Sequence, residues 1–203
     1  MRARHGLELR EYSSGGGFAA QYVREKPAPP VEAYAEAIVS SFKRRCDENG
    51  LPLPRLFVEP GRSLVARAGV ALYTVGSSKR VEGLRTWVSV DGGMADNIRP
   101  AIYDAKYEAV VVNRADDDAT ETVTIAGKYC ESGDILVKDV RLPATSPGDV
   151  IALPTSGAYN ITMSSNYNMA LRPAIVVVND GKPRLIRRRE TYADLLATDV
   201  WSE

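Results

Sequence analysis

Apolar residues between positions 31 and 47 recur every three or four residues, the spacing that places them on one face of an α-helix. Pro30 lies where proline fits the first turn of a helix, and Gly50 follows where glycine commonly ends one. Cys46 falls on the apolar face, so we interpret it as a core residue. The pattern therefore predicts an amphipathic helix over residues 31–47.

The segments on either side of this helix predict the alternation of an α/β barrel. Residues 7–12 and 56–58 read as short strands, the second of them buried, and residues 63–68 are compatible with a helix. Each strand runs into a glycine-containing turn, and loops after strands carry the ligand groups of such barrels. Residues 1–68 are therefore expected to supply two strand–loop–helix units, a remnant of a (β/α)8 barrel.

From residue 69 onward the chain consists of β-branched and aromatic runs separated by turn residues such as Gly76-Ser77-Ser78. These runs predict strands at residues 70–75, 84–90, 107–112, 121–126, 149–153 and 174–178. A hairpin turn at residues 179–182 leads into a further strand at 183–186. The predicted class is α+β.

In this α+β arrangement, residues 69–189 are expected to form an antiparallel β-sandwich or Greek-key barrel. Residues 190–203 are expected to contain a short terminal helix, at 190–196, which packs back on the barrel part.

The amino-acid composition limits the classes of protein and of binding partner that fit this chain. Of the 203 residues, 44% are hydrophobic, enough for one sizeable core or two modest ones. Lys plus Arg number 26 and Asp plus Glu number 26, so no net charge attracts nucleic acid or an anionic membrane. The two cysteines form neither a disulfide framework nor a spaced metal motif, and no apolar run approaches a membrane span. We therefore expect a cytoplasmic protein without a metal site, a membrane or a nucleic acid partner.

The segment Cys130-Glu131-Ser132-Gly133-Asp134 lies between two runs that read as strands and concentrates unusual chemistry. A protonated thiol can donate a proton, and a carboxylate can hold an amine. A free cysteine is also often a small core residue, and carboxylates in loops are usually solvated. Taken alone, the segment leaves both interpretations open.

Two further features can bind anions. Gly15-Gly16-Gly17 leaves backbone N–H groups uncovered, so this loop can wrap a phosphate, although a glycine run is also typical of a flexible loop. Arg99 and Tyr103 are four residues apart, the separation that places two side chains on one face of a helical turn. An arginine there can hold a carboxylate through its two-pronged guanidinium, and a tyrosine can add a hydrogen bond.

In their order along the chain, these features resemble the alanine-racemase-like (fold-type III) family of pyridoxal-phosphate decarboxylases, most closely its diaminopimelate decarboxylases. The resemblance rests on Gly15-Gly16-Gly17-Phe18, Glu59-Pro60-Gly61-Arg62, Asp91-Gly92-Gly93-Met94, Arg99-Pro100-Ala101-Ile102-Tyr103, Cys130-Glu131-Ser132-Gly133-Asp134, Gly157-Ala158-Tyr159 and Tyr167-Asn168. The family joins a cofactor-binding (β/α)8 barrel to a β domain that completes the site in a dimer. The resemblance implies pyridoxal 5′-phosphate, a small-molecule substrate and a homodimer with shared active sites.

The resemblance also implies which residues bind the cofactor. Two segments match those that hold its phosphate: Gly15, Gly16 and Gly17, and Glu59, Pro60, Gly61 and Arg62. Tyr159 matches a residue that contacts both cofactor and substrate.

For the substrate, the resemblance implies that Arg62 binds a carboxylate and that Arg99 and Tyr103 grip the molecule. Cys130 matches the proton donor and Glu131 the partner of the distal amino group, both delivered into the neighbouring subunit's site. The ornithine and arginine decarboxylases of this group tend to have Asp directly after the cysteine. Glu131 therefore favours diaminopimelate, whose decarboxylation gives L-lysine and CO2.

Length and two positions depart from the family. A complete barrel takes about 250 residues, and the Schiff-base lysine and the histidine that stacks on the cofactor have no match here. Ser13 and Ala19 stand where the family usually has Asp and Gly. We expect the C-terminal half of such an enzyme, inactive by itself. Two alternatives stay open, a decarboxylase of another diamino acid and a non-catalytic dimerisation module.

Overall fold

The computed structural model describes residues 2–6 and 8–200, and its first region alternates strands and helices as predicted. Its elements are α1 (Arg2–His5), β1 (Glu11–Ser13), α2 (Val31–Glu48), β2 (Arg55–Phe57) and α3 (Gly61–Val65), followed by a 3₁₀ turn at Ala66–Ala68. β1 pairs parallel to β2, with α2 in the connection between them. The predicted amphipathic helix is confirmed, and Cys46 on its apolar face is buried. The strand predicted at 7–12 begins only at Glu11, and Leu7 lies outside the described residues.

The prediction that the second of these strands is buried is wrong. Phe57 is 40% exposed and Val58, which follows it, is 44% exposed. Among the described residues β2 pairs only with β1, and a two-stranded sheet lacks the layers that bury a strand on both faces. Contacts in this region include the stacking of Tyr12 in β1 on Phe42 in α2, with ring centroids 5.4 Å apart.

The second region is a six-stranded sheet. It comprises β3 (Ala71–Val81), β4 (Arg85–Val90), β5 (Val110–Val111), β6 (Glu121–Ala126), β7 (Ile135–Leu142) and β8 (Val150–Leu153), with α4 (Arg99–Tyr103) between β4 and β5. The strand order is β5-β8-β3-β4-β6-β7. Four of the five pairings are antiparallel, but β4 and β6 run parallel, so the sheet is mixed rather than antiparallel as predicted. The long connection from Val90 to Glu121 makes a parallel return possible.

β3 bends where the sequence predicts a turn. Gly76, Ser77 and Ser78 continue the strand, and the register against β4 shifts between Val75 and Ser77 as in a β-bulge. Residues 71–74 of β3 pair with β8, whereas Val75 and residues 77–81 pair with β4. The predicted turn is therefore a bulge that lets one long strand pass from one half of the sheet to the other.

One cluster of buried hydrophobic residues lies in the region of this sheet. All of its members lie between residues 73 and 153: Tyr73, Val75, Val88, Val90, Tyr107, Ala109, Val111, Val123, Ile125, Leu136, Val137, Leu142, Ile151 and Leu153. Tyr22, from the first region, packs against this core and joins the two regions.

The C-terminal part carries a short helix, a hairpin and a second short helix. These are α5 (Asn160–Met163), β9 (Ile175–Asn179), β10 (Lys182–Arg187) and α6 (Tyr192–Leu195). The predicted hairpin turn is confirmed, because Asp180 and Gly181 both adopt the positive φ angles that such a two-residue turn requires. The terminal helix is shorter than predicted and begins with a capping box formed by Thr191 and Asp194. In the described part of the chain, no helix combines the length and apolar character that crossing a membrane requires.

A buried carboxylate, Asp149, fastens the start of β8. It accepts hydrogen bonds from Asn113 Nδ2 (2.9 Å), Arg114 (2.5 Å) and the Ser146 N–H (2.8 Å). The Asn113 hydrogen bond, together with those from Ser146 and Arg114, lowers the pKa of Asp149. An aspartate whose pKa is lowered by folding stabilises the folded state above its unfolded pKa, and this contribution is lost as the pH falls through its folded pKa.

We expect Asp149→Asn to lower the free energy of unfolding by about 2 kcal/mol at pH 7, because an amide cannot accept from all three donors. The loss should shrink below the unfolded aspartate pKa of about 3.9. Urea denaturation at pH 7 and pH 3 measures both. Asp139→Asn is the matched control, since Asp139 is exposed and its ion pair with Arg85 spans 3.8 Å. An equal loss at both pH values would contradict the charge-based explanation.

Candidate functional site

An open cleft of about 900 Å³ lies between the first region and the β-sheet region. It brings together eight of the twelve site residues predicted from the sequence: Gly16, Gly17, Glu59, Pro60, Arg62, Arg99, Tyr103 and Tyr159. Of the other four, Gly15 and Gly61 are next to lining residues, whereas Cys130 and Glu131 lie elsewhere. Residues far apart in the sequence therefore share one cleft.

The glycine loop is fastened to the turn that begins at Glu59. The Glu59 N–H donates to the Gly15 carbonyl (2.9 Å), and Ser13 Oγ donates to the Glu59 carboxylate (2.6 Å). A Cβ at Gly16 would lie 2.7 Å from the Glu59 carbonyl oxygen, so only glycine fits there. Ser13, which departs from the family, thus fits this arrangement by giving Glu59 a hydrogen-bond donor.

The same loop presents hydrogen-bond donors to the cleft. Gly15 and Gly17 have φ angles of 75° and 88°, in the left-handed region that favours glycine. Among the described residues, the N–H groups of Gly16, Gly17 and Phe18 have no hydrogen-bond partner. Beyond the loop, Tyr34 of α2 accepts the Ala19 N–H and packs its ring against Phe18. The loop therefore offers three adjacent N–H groups from an anchored backbone.

The charges around the cleft favour an anionic ligand. Four cations line it, Arg62, Arg99, Lys26 and Lys106, against two carboxylates, Glu59 and Asp104. This excess of two positive charges and the free N–H groups fit a phosphate and a carboxylate. The volume and the donor set therefore fit pyridoxal phosphate.

Arg99 is held by tyrosines that the sequence analysis did not identify. It is 7% exposed and donates to the Tyr107 hydroxyl (2.8 Å), and its guanidinium carbon lies 4.8 Å from the centre of the Tyr22 ring. The centre of the Tyr159 ring lies 5.9 Å from the same guanidinium carbon. Burial raises the pKa of Tyr107, so its hydroxyl remains protonated at neutral pH. No sequence signal points to Tyr22, because it lies in a connector without regular periodicity.

The predicted helical turn that carries Arg99 and Tyr103 is confirmed as α4. Arg99 is buried at its first residue, whereas Tyr103 is 63% exposed at its last, and both line the cleft. Tyr159 has a φ of 66°, a left-handed conformation that is uncommon for a large side chain. Tyr159 thus reaches the cleft from a constrained turn directly before α5.

Cys130 and Glu131 lie on the loop between β6 and β7 and do not line the cleft of their own chain. Both are exposed, so the interpretation of Cys130 as a core residue does not hold, whereas it holds for Cys46. The Glu131 carboxylate accepts a hydrogen bond from the Tyr167 hydroxyl at 3.5 Å. The Tyr129 ring packs edge-on against Tyr167, and burial raises the pKa of Tyr129 to about 12.

Residues 21–157 match the family model that describes the C-terminal sheet domain of pyridoxal-dependent decarboxylases. Over 195 residues, 96% of this chain, the sequence is 51% identical to a diaminopimelate decarboxylase from Synechocystis sp.. It is 47% identical to the diaminopimelate decarboxylase of Bacillus subtilis over 186 residues, 92% of this chain. In each case the chain spans 42% of the relative, which is less than half its length.

A solved structure of similar fold is the diaminopimelate decarboxylase from M. jannaschii in co-complex with L-lysine. The two superpose with a TM-score of 0.88 at 37% sequence identity, and the match covers 99% of this chain and 45% of that one. The glycine loop, the cleft and the sheet domain therefore lie in a fold shared with these relatives.

Proposed function

Because the chain belongs to the family of pyridoxal-dependent decarboxylases, we propose that it forms the C-terminal part of a diaminopimelate decarboxylase. The proposed reaction converts meso-2,6-diaminopimelate to L-lysine and CO2. The observation that carries this proposal is the single cleft shared by eight residues from separate sequence blocks. The identity of 51% to a named decarboxylase supports the choice of substrate.

In this proposal the cofactor phosphate binds at the glycine loop. The free N–H groups of Gly16, Gly17 and Phe18 point to that role, and Glu59 and its neighbours fix the loop from behind. When bound, pyridoxal phosphate supplies an electron sink for the electron pair left by the departing carboxylate. The residues of this chain then have to bind and orient the substrate and protonate the carbon that has lost CO2.

The substrate would be held by charges already placed in the cleft. Arg62 and Arg99 offer guanidinium groups for carboxylates, and Tyr103 and Tyr159 flank them. Because Arg99 is packed against Tyr22 and bonded to Tyr107, its orientation is set before the substrate arrives, which reduces the entropy lost on binding.

Cys130 and Glu131 would serve the site of a partner subunit in a homodimer. Their exposure and their position outside their own cleft support this arrangement. The Cys130 thiol donates its proton to the carbon that has lost CO2 and is left as a thiolate, which regains a proton from water. The Glu131 carboxylate pairs with the distal ammonium of the substrate.

We also propose that residues 1–68 contribute to a (β/α)8 barrel, with residues 69–189 as a Greek-key or sandwich β domain and residues 190–203 packing back on the barrel. The parallel pairing of β1 with β2 across α2 supports the barrel. Free cysteines, one of them exposed, favour the reducing cytoplasm as the location.

A chimera tests the function. This chain replaces the matching C-terminal segment of the Synechocystis decarboxylase, and CO2 release is assayed with meso-diaminopimelate, ornithine and arginine. We expect kcat/KM for diaminopimelate to exceed that for the other two by about 100-fold, because only diaminopimelate ends in both an ammonium and a carboxylate. The control is the remaining N-terminal part of the Synechocystis decarboxylase, assayed without this chain. The product of the chimera is checked to be L-lysine.

Two other outcomes would replace the proposal. Faster turnover of ornithine or arginine would assign a different diamino acid. A lack of turnover combined with dimer formation between this chain and the intact Synechocystis enzyme would assign a dimerisation module.

A further inference from the structure

The carboxylate of Asp134 lies beneath the loop that carries Cys130 and Glu131. Asp134 is 3% exposed, although carboxylates in loops are usually solvated. Its two oxygens accept the N–H of Met94 (2.6 Å) and the N–H of Tyr129 (2.8 Å). Its carbonyl oxygen accepts the N–H of Gly127 (2.9 Å). A single residue therefore joins the loop at 127–134 to the loop at 91–97.

The surroundings of this carboxylate are fitted closely to it. A Cβ at either Gly93 or Gly127 would overlap the Asp134 carboxylate, so these two glycines leave room for it. A further bond from the Lys128 N–H to the Gly92 carbonyl (3.0 Å) connects the same two loops. Burial raises the pKa of Asp134, and the hydrogen bonds from the Tyr129 and Met94 N–H groups act in the opposite direction by stabilising the carboxylate.

Each of the joined loops leads to residues of the proposed site. The loop at 91–97 runs into α4, which begins at Arg99 and lines the cleft. The loop at 127–134 carries Cys130 and Glu131. The Ser165 N–H also bonds the Ala95 carbonyl (2.8 Å), and two residues further on is Tyr167, the donor to Glu131.

We propose that Asp134 is a positioning residue, which fixes the Cys130–Glu131 loop relative to the segment that leads to Arg99. This inference rests on the proposed function. In a homodimer with shared sites, the Asp134 carboxylate would then connect Arg99, which lines the cleft of its own chain, with Cys130 and Glu131, which serve the cleft of the partner.

Asp134→Asn is the sharpest variant. The amide has nearly the shape of the carboxylate, but it has one acceptor oxygen, and its NH2 group faces a backbone N–H. One of the two loops should therefore lose its hydrogen bond to the side chain of residue 134. Asp149→Asn is the matched control, because Asp149 is also a buried carboxylate that accepts a backbone N–H, and it lies outside both loops and the cleft.

Amide hydrogen exchange on the full chain tests the tether without any turnover. In Asp134→Asn we expect exchange at Met94 or Tyr129 to accelerate about tenfold, because a hydrogen-bonded buried N–H becomes free. The amides of β3 and β8 should keep their rates. Asp149→Asn should leave residues 92–94 and 127–131 unchanged. Unchanged exchange in Asp134→Asn would overturn the proposal.

Kinetics on the Synechocystis chimera test the positioning role. We expect Asp134→Asn to lower kcat about tenfold, and this loss should fall below about twofold when Cys130 is already alanine, because coupled residues are not additive. Asp149→Asn should lower the melting temperature but leave kcat within about twofold. An equal loss with and without the Cys130 thiol would show a structural role only.

The two proposals fail in different ways. A parent chimera that releases no CO2 would reject the proposed function, while hydrogen exchange would still decide whether Asp134 ties the two loops together.

Discussion

Replacing Arg99 with lysine is expected to lower kcat/KM of the chimera for diaminopimelate about 100-fold, equivalent to about 2.7 kcal/mol. Arg99 is buried, bonded to the Tyr107 hydroxyl and packed against the Tyr22 ring. A lysine ammonium has no planar fork, so it cannot bond Tyr107, stack on Tyr22 and hold a carboxylate at the same time. Because the lost contact is one of substrate binding, most of the change should appear in KM. Steady-state CO2 release gives both constants.

Arg85→Lys is the matched control for this substitution. Arg85 also packs over an aromatic ring, that of Trp87 at 5.4 Å, and bonds Thr124, but it lies on β4 outside the cleft. We expect its kcat/KM to stay within about twofold of the parent. If the two variants behave alike, or if Arg99→Lys retains its parent KM, Arg99 does not bind the substrate. Melting temperatures of both variants identify any loss that reflects unfolding.

Replacing Gly157 with alanine is expected to cost about 4 kcal/mol in the free energy of unfolding, at the upper end for overpacking. A Cβ at this position would overlap the Val65 carbonyl oxygen and lie 2.9 Å from the Gly69 nitrogen. The Gly157 N–H also donates to the Ala66 carbonyl (2.9 Å), and the neighbouring Ser156 N–H to the Gly69 carbonyl (2.8 Å). The obstacles are backbone atoms, which cannot rotate away. Urea denaturation of the full chain measures the loss.

Gly76→Ala serves as its control. A Cβ at Gly76 would meet the Ser89 carbonyl oxygen at 3.8 Å, an ordinary contact, so we expect a change within about 1 kcal/mol. Equal stability of the two variants would mean that the approach of Gly157 to the 3₁₀ turn contributes little. Should Gly157→Ala fail to fold at all, the equivalent change at Gly69 tests the same crossing from its other side, since a Cβ there would overlap Gly157.

Elements whose conformation depends on nearby residues were predicted well. The periodicity of α2, the Asp180-Gly181 turn and the terminal helix each depend on neighbours within a few positions. The interpretation of Cys46 also follows from this periodicity, because a helix places residues three and four apart on one face.

Predictions that depend on distant partners were the ones that failed. The exposure of β2 depends on whether other layers of the structure cover it, and the residues of β2 alone do not indicate whether such layers are present. Gly76 has the composition of a turn, but pairing with β4 and β8 makes it part of a bulged strand. The direction of β6 beside β4 likewise results from the path of the intervening chain.

For the site, the sequence by itself determined which chemical groups are available: the glycine loop, the arginines, the tyrosines of the motifs, and the Cys130–Glu131 pair. The resemblance of these ordered blocks to one family was visible without a structure, because each block is local. Only the tertiary structure decided that eight of the twelve predicted site residues line one cleft, that Tyr22 and Tyr107 hold Arg99, and that Cys130 lies elsewhere. It also decided that Asp134 is buried, since burial results from the approach of two loops about 35 residues apart, whose contacts local sequence rules do not specify.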